Sequence, residues 1–183
     1  MKVSNVNYYP AQDFAQYLKI PGTSFSSLKD FKGGVTPGMQ LGTRVHNFIN
    51  EPEQYDWIDS DLVQPIASAI KKTLGDAYHL LQKELGITCD FTHDGLKLDY
   101  KGRIDMVIPG RIVVDLKVLA GKLQDAVKYF KYDRQISGYC LSSGCAIGLI
   151  VAYNKKEKKV ETMLIKPDAT FWEETILQRG EII

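Results

Sequence analysis

The stretch "GRIDMVIPGRIVVDLK", residues 102–117, decides which kind of fold this sequence can adopt. Two runs rich in valine and isoleucine flank a Pro-Gly pair, which is typical of two β-strands joined by a hairpin turn. The first run carries Asp105, and the second carries Asp115 and Lys117. Because side chains alternate along a strand, Asp115 and Lys117 project from one face and Leu116 from the other.

The length of the turn determines whether Asp105 shares that face. A two-residue loop, 109–110, turns Asp105 away from Asp115. A three-residue loop, 108–110, pairs Asp105 with Val113 and sets it diagonal to Asp115, about 7–8 Å away at ordinary sheet spacing. Two carboxylates on one face can converge on a divalent cation, so we expect an odd-length loop or a bulge here.

Two acids and a lysine in this arrangement have two interpretations. The first is metal-assisted hydrolysis, in which hard oxygen ligands hold Mg²⁺ or Mn²⁺ and the lysine assists a bound water. The second is an exposed polar face with a weak ion pair. The apolar residues on both sides favour the first, because polar groups inside a buried strand cost desolvation unless they are paired or bound to a metal.

Hydrophobic periodicity predicts a mixed α/β (α+β) domain around one sheet. A short helix is expected at Ser26–Phe31, and Thr170 with Glu173 has the spacing of a capping box for a last helix. The other predicted helices are 41–49, 62–85 (closed by Gly86) and 122–141, and the predicted strands are 87–93, 96–108, 111–118, 145–153 and 160–165.

Composition narrows the class of protein. With 183 residues and 44% hydrophobic content, the chain fits one domain (1–183), an irregular and helical segment (1–40) preceding the core (41–183). A net charge of +1 does not by itself announce a polyanion partner. No signal-type segment and no apolar run long enough for a membrane span is present, and three cysteines without a CxxC pair indicate reduced thiols, so we expect a cytoplasmic protein.

Four short motifs occur in a fixed order along the chain. They are "LGTRVH" with Gly42 and His46, "GRID" with Asp105, "VDLK" with Asp115 and Lys117, and "RQISGY" with Gln135 and Tyr139. This series resembles the RecB-type branch of the PD-(D/E)XK nucleases. The segment before it, "YYPAQ…SFSSLKDF…LGTRVHNFINEPEQYD", is similar to the RecE-type, exodeoxyribonuclease VIII-like phage exonucleases.

The resemblance covers about residues 8–139 and implies a restriction-endonuclease-like fold, a central mixed sheet flanked by helices. It also implies roles for single residues. His46, Asp105, Asp115 and the main-chain carbonyl of Leu116 would bind Mg²⁺ or Mn²⁺. Catalysis would involve Asp105, Asp115 and Lys117, with Lys117 serving the attacking water, and Gln135 and Tyr139 bordering the site.

Helical spacing bears separately on nucleic-acid binding. Gln135 and Tyr139 are four residues apart, and Lys128, Lys131 and Tyr132 fall on the same stripe of the predicted helix 122–141. Cations, an amide and phenols on one face suit phosphates and bases, although a solvated helix face has the same composition. The lysines of "NKKEKK", 154–159, likewise suit backbone phosphates or a solvated hairpin tip.

Together these features predict a metal-dependent DNA exonuclease. The resemblance implies phage-type recombination or DNA end processing in a bacterial cell, with a single-strand annealing or recombination protein as partner and an oligomer as one way to achieve processivity. A structure-specific endonuclease and a catalytically silent nuclease-fold DNA-binding module are the alternatives. We expect no iron–sulfur cluster, since three cysteines are too few, and no bound nucleotide, since Met39 replaces the lysine of a P-loop.

Overall fold

The computed structural model describes residues 1–9, 14–28 and 60–183. Short 3₁₀ helices cover Ser26–Leu28 and Gly75–Leu80. The remaining elements, in chain order, are β1 (Lys2–Tyr9), α1 (Phe14–Lys19), α2 (Ser60–Leu74), β2 (Gln82–His93), β3 (Leu96–Ile108), β4 (Ile112–Leu119), α3 (Leu123–Phe130), α4 (Tyr132–Ser143), β5 (Ile147–Asn154), β6 (Lys159–Ile165), α5 (Thr170–Arg179) and β7 (Glu181–Ile182).

All described strands belong to one sheet, in the order β1-β2-β3-β4-β5-β6, with β7 paired to β3. Neighbours are antiparallel except β4 and β5, which run parallel from Ile112–Ile147 to Leu119–Asn154. A parallel pair needs a crossover connection, and α3 and α4 provide it. The sheet is therefore mixed, and the predicted fold class is confirmed.

Helices cover both faces of this sheet. On one face α2 packs its apolar stripe, Val63, Ile66 and Ile70, against the even-numbered side chains of β4. On the other face α4 and α5 contribute Ile136, Trp172 and Ile176 to the larger core. Asp115 and Lys117 project toward this second face, because Val113 on the same side of β4 packs into the larger core. The acid–lysine stretch consequently lies between the sheet and α4.

The predicted helix 62–85 is wrong in its second half. Helix α2 ends at Leu74, Gly75 adopts a left-handed φ of 54°, and β2 already begins at Gln82, so Gly86 is a strand residue and not a C-cap. Strand β2 pairs with β3 from Gln82–Val107 to His93–Leu96. This long ladder, which depends on residues distant in sequence, outweighs the local helical preference of residues 82–85.

The predicted helix 122–141 is also wrong, since it is two helices. Lys131, between α3 and α4, has a left-handed conformation with φ 58° and ψ 42°. A non-glycine residue in this region costs about 1–2 kcal/mol, and the sequence has no Gly or Pro to announce it. The single stripe predicted from Lys128 to Tyr139 is therefore not continuous.

Of two smaller predictions, a hairpin turn is confirmed and a capping box is wrong. Asp94 and Gly95 both have positive φ and close the predicted hairpin between β2 and β3. The capping box is wrong: Thr170 is inside α5, its N–H donates to Asp168 Oδ1 at 2.9 Å, and Glu173 instead contacts the Met1 amino group at 2.8 Å. Strand β1 was not predicted.

The predicted helix at 41–49 and residues 29–31 of the first predicted helix lie outside the described residues. Within the described ranges, no helix is both long and apolar enough to span a membrane.

Candidate active site

The hairpin between β3 and β4 brings the two aspartates near each other, since the charges of both act on Lys117. Val107 pairs with Val113 and Ile108 with Ile112, so the loop is Pro109–Arg111, three residues long. The expectation of an odd-length loop is confirmed, but each paired residue of β3 lies opposite a β4 residue two positions further along than predicted. The ladder ends at Met106–Val114, and Asp105 and Asp115 are the next residues on the two strands, so the predicted Asp105–Val113 pair is wrong.

Asp105 also binds the main chain of the neighbouring strand. The N–H of Leu116 donates to Asp105 Oδ2 at 2.8 Å. The N–H and C=O of a strand residue point toward the same neighbouring strand, so the Leu116 carbonyl also faces β3 at this position. The Leu116 main chain and the Asp105 carboxylate thus lie together beside Asp115, where β3 and β4 meet.

Asp115 and Lys117 form an ion pair in the interior. Lys117 Nζ lies 2.5 Å from Asp115 Oδ2, and the two side chains are only 17% and 2% exposed. Burial lowers the pKa of Lys117, but the negative charges of Asp115 and Asp105 raise it more, so the net shift is upward. Lys117 is accordingly an ammonium ion at neutral pH.

Helix α4 lies over the face of the sheet that carries the acid pair. Tyr139 is buried, and Gln135 Nε2 donates to its hydroxyl at 3.0 Å. Burial, followed by the charges of Asp115 and Asp105, raises the pKa of Tyr139 well above its usual value. The structure thus brings Gln135 and Tyr139 to the acid pair, as the motif series implied.

The glycine of "GRID" has a steric reason. A Cβ at Gly102 would lie 2.8 Å from Tyr100 Oη and 3.0 Å from Tyr139 Cε1. Only a residue without a side chain allows α4 to bring Tyr139 this close to β3.

The two lysines predicted to bind nucleic acid are placed differently. Lys128 lies in the last turn of α3 and Lys131 is the break before α4, and both are exposed. They do not continue the stripe of Gln135 and Tyr139, because the break changes the direction of the chain. Lys131 directly precedes Tyr132, whose ring centroid is 4.7 Å from Lys117 Nζ.

Comparisons with solved structures return nucleases of low sequence identity. A phage-related exonuclease from Haemophilus somnus 129PT is 16% identical with a TM-score of 0.37, covering 86% of this chain and 85% of that one. A provisionally assigned exonuclease from Eubacterium rectale is 18% identical with a TM-score of 0.49, covering 88% and 71%. An alkaline exonuclease from Laribacter hongkongensis is 11% identical with a TM-score of 0.37, covering 79% of each chain.

No protein-family model and no curated protein matches the chain. The fold is evident from the sheet itself, which is mixed, flanked by helices on both faces and carries the acid pair at the junction of β3 and β4. This chain has a restriction-endonuclease-like fold. That is the fold of the PD-(D/E)XK nucleases, as the order of motifs implied.

The donor set at the centre of this restriction-endonuclease-like domain fits a hard divalent cation. Asp105, Asp115 and the Leu116 carbonyl supply oxygen only, which Mg²⁺ and Mn²⁺ prefer. Within the described ranges no group of three or more His, Cys, Asp or Glu side chains is clustered. His46, the further ligand implied by the resemblance, lies outside the described residues.

One contact of this site was not assigned from the sequence. Tyr132 was placed on a helical stripe, yet the structure puts its ring over the Lys117 ammonium, where a cation–π interaction forms. Burial is the main cause that raises the pKa of Tyr132, and the Lys117 charge opposes it. The "FKYD" segment contains no signal for this contact, because it depends on the break at Lys131.

Proposed function

We propose that this chain is a Mg²⁺- or Mn²⁺-dependent deoxyribonuclease that hydrolyses phosphodiester bonds as an exonuclease. The observation that carries the proposal is the buried Asp115 carboxylate, 2% exposed and paired with Lys117, whose ammonium also feels the charge of Asp105. A carboxylate and an ammonium withdrawn from water are costly to a fold unless they have a task or a partner that repays desolvation. A polar face exposed to solvent would not bury the Asp115 carboxylate in this way.

His46, Asp105, Asp115 and the Leu116 carbonyl are the proposed ligands. When bound, the divalent cation supplies charge that polarises the phosphoryl oxygen and lowers the pKa of water. The protein's own contribution is rigidity. Both acids lie on paired strands, and the Leu116 N–H holds the Asp105 carboxylate in one orientation.

Lys117 acts in this proposal through charge and hydrogen bonding. Its ammonium carries protons and not a lone pair, so it orients the attacking water and stabilises negative charge that develops on the phosphate. Tyr132 covers it from one side, which limits the directions in which the ammonium can move.

Gln135 and Tyr139 shape the entrance. Tyr139 is buried and directs its hydroxyl to Gln135, which is half-buried and reaches the edge of the site. Gln135 is therefore the member of the pair that can contact a nucleotide, while Tyr139 positions it. Lys128 and Lys131 are exposed near this edge and are suited to backbone phosphates.

The choice of an exonuclease over an endonuclease, and of phage-type recombination as the setting, rests on the similarity of the sequence to RecE-type enzymes. In that setting a single-strand annealing protein would receive the product. An oligomer would supply the channel that a chain of 183 residues lacks room for.

The test compares wild type with Lys117→Ala on linear duplex DNA labelled at the 5′ or the 3′ end. Reactions contain Mg²⁺, Mn²⁺ or EDTA, and a closed circular duplex runs alongside. Lys72→Ala is the matched control, since Lys72 is exposed on α2 at the other face of the sheet.

We expect label to be lost from linear DNA only, and this loss to disappear with EDTA and with Lys117→Ala but not with Lys72→Ala. Cleavage of the closed circle would establish an endonuclease. If wild type binds DNA and degrades none with either metal, the nuclease proposal fails and a DNA-binding module replaces it.

A further inference from the structure

Three aromatic residues at the junction of α3 and α4 contact one another in series, and we call them the aromatic ridge: Tyr129, Phe130 and Tyr132. The rings of Phe130 and Tyr132 are stacked with centroids 5.5 Å apart and 22° between their planes. Tyr129 meets Phe130 edge to face, with centroids 4.9 Å apart. The geometry of both contacts is that of favourable aromatic pairs.

The ridge begins inside the candidate active site and ends in solvent. Its inner end is Tyr132, half-buried and 4.7 Å from Lys117 Nζ. Exposure then increases outward, to 41% for Phe130 and 80% for Tyr129. The π surfaces thus lead from the proposed catalytic ammonium to the outside of the molecule.

The backbone is strained where it produces this arrangement. Phe130 and Tyr132 are two residues apart, and in a regular helix such side chains point to nearly opposite sides. The left-handed conformation of Lys131 interrupts the helix between Phe130 and Tyr132, which brings their rings together. Strain of about 1–2 kcal/mol at a non-glycine residue persists only where the surroundings require it, and it is frequent at functional sites.

Core packing does not account for the outer part of the ridge. The buried contacts of α3 are made by Leu123 and Ala126, on the side that packs into the core. Tyr129 and Phe130 are among the exposed large hydrophobic side chains of the described residues, and adjacent exposed aromatics of this kind mark binding surfaces. Lys128 and Lys131 flank them and are exposed as well.

We propose that the aromatic ridge is a stacking platform for unpaired bases of the DNA strand that enters the active site. The inference rests on the proposed nuclease function and adds the form of the substrate, a single-stranded end. Aromatic faces stack on any base and so bind without sequence preference, while neighbouring cations hold the phosphates. The exposed outer end of the ridge, Tyr129 above all, supplies the aromatic surface, and Lys128 and Lys131 supply the charge.

The experiment measures binding in EDTA, where no cleavage is expected, to two single-stranded oligodeoxynucleotides of equal length and charge. One carries normal bases throughout, and the other has three consecutive abasic sites at its 5′ end. The measurement is repeated with the abasic sites at the 3′ end. The variants are Tyr129→Ala, Tyr129→Ala with Phe130→Ala, and the conservative pair Tyr129→Phe with Phe130→Tyr. Tyr8→Ala is the control, because Tyr8 is 42% exposed but lies on β1 at the far edge of the sheet.

We expect wild type to prefer the strand with bases by about 10-fold, since one stacked base contributes roughly 1–3 kcal/mol. Both alanine variants should lose this preference, and the conservative pair and Tyr8→Ala should keep it. Tyr129→Ala alone tests the idea if the double variant fails to fold, because Tyr129 is the most exposed of the three.

Equal binding of the two strands by wild type, or a preference that survives both alanine variants, overturns the stacking platform. A loss of self-association in the alanine variants with the base preference intact would assign the ridge to a protein contact. Cleavage of labelled duplex by wild type separates the two proposals: if cleavage persists while base preference is absent, only the platform fails.

Discussion

Lys117 Nζ lies 2.5 Å from Asp115 Oδ2, although one residue separates the two on β4. Both side chains project toward the face covered by α4, and both are largely buried. The alternative interpretation of this stretch, an exposed polar face with a weak ion pair, is therefore wrong. Breaking this pair should lower the free energy of unfolding, and the Lys117 ammonium also interacts with the negative charge of Asp105.

Removing one member of this pair should destabilise the protein. Asp115→Ala leaves the Lys117 ammonium without its nearest anion, and breaking a buried pair costs about 3–5 kcal/mol. We expect a smaller loss, because Lys117 is 17% exposed and water screens it in part. Urea unfolding measures the change.

The double variant Asp115→Ala with Lys117→Met provides the contrast. It should recover much of the stability, because the buried ammonium is removed together with its nearest anion, and it should remain inactive, because both proposed site residues are gone. If the single and double variants are equally unstable, the pair is not what stabilises this part of β4.

Binding of a divalent cation should stabilise the folded state. A ligand at 100 times its dissociation constant contributes about 2.7 kcal/mol, so the melting temperature of wild type should rise with Mn²⁺ concentration and return with EDTA. Asp105→Asn should abolish the rise, since it halves the carboxylate charge of the site. Asp133→Asn is the control, because Asp133 is an exposed acid on α4; an equal loss in that variant would assign the effect to general charge.

Gly102 should not tolerate a methyl group. A Cβ there would lie 2.8 Å from Tyr100 Oη and 3.0 Å from Tyr139 Cε1. Gly102→Ala must displace Tyr139, and overpacking of this kind costs about 1–3 kcal/mol. We expect lower stability and reduced nuclease activity.

Gly121→Ala is the matched control for this change, since nothing lies within 4 Å of a Cβ at Gly121. Thermal unfolding and initial cleavage rates of the two variants make the comparison. Similar behaviour of both would mean that Tyr139 need not approach β3 closely.

The hairpin between β5 and β6 should contribute to the salt dependence of DNA binding. Lys117 on β4 pairs with Ala152 on β5, and the hairpin begins after Asn154, two residues further on. The hairpin therefore lies at the end of the strands that also carries the site. Each phosphate contact adds about 0.9 to the slope of log affinity against log salt. Lys155→Gln with Lys156→Gln should lower that slope by up to about 2 in binding titrations.

Lys71→Gln with Lys72→Gln neutralises two exposed lysines on α2 and is the control for charge alone. If both pairs change the slope equally, the hairpin has no special contact with DNA and is a solvated tip.

The stability of the fold should decline at alkaline pH in a way that depends on Tyr100. Burial is the main cause that raises the pKa of Tyr100 well above 10. Between pH 10 and that higher value the unfolded chain loses the phenol proton while the folded chain keeps it. The stabilisation is therefore complete below about pH 10 and is lost as pH rises, by about 1.4 kcal/mol per unit.

Tyr100→Phe should make the alkaline limb of a stability–pH curve shallower, whereas Tyr129→Phe, which changes an exposed side chain, should not. Urea unfolding between pH 8 and pH 11 measures both. An unchanged slope in Tyr100→Phe would show that other groups cause the alkaline loss.

Several features could be predicted from the sequence because their causes are local. The β3–β4 hairpin follows from valine- and isoleucine-rich runs around Pro109–Gly110, and the odd length of its loop followed from the need to place both acids on one face. Strand β3 begins and ends at the predicted residues, 96–108. The placement of Gln135 and Tyr139 beside the acids was implied by the family resemblance and not by a local cause.

Other features failed because their causes are distant in sequence. Residues 82–85 have helical patterning, yet they complete a ladder with 104–107. Main-chain hydrogen bonds to β3 decide between the two states, and no local pattern reports them. The helix break at Lys131 was also not predicted, since neither glycine nor proline marks it in the sequence.

The sequence by itself determined which groups the site contains, because alternation along a strand and the spacing of motifs are properties of the chain. It placed Asp105, Asp115 and Lys117 on a hairpin and predicted the mixed sheet. Only the tertiary structure decided the register of β3 against β4, the burial of the Lys117–Asp115 pair, and the contact of the Tyr132 ring with Lys117. Each of these depends on how far two elements approach, which is set by packing between residues remote in sequence.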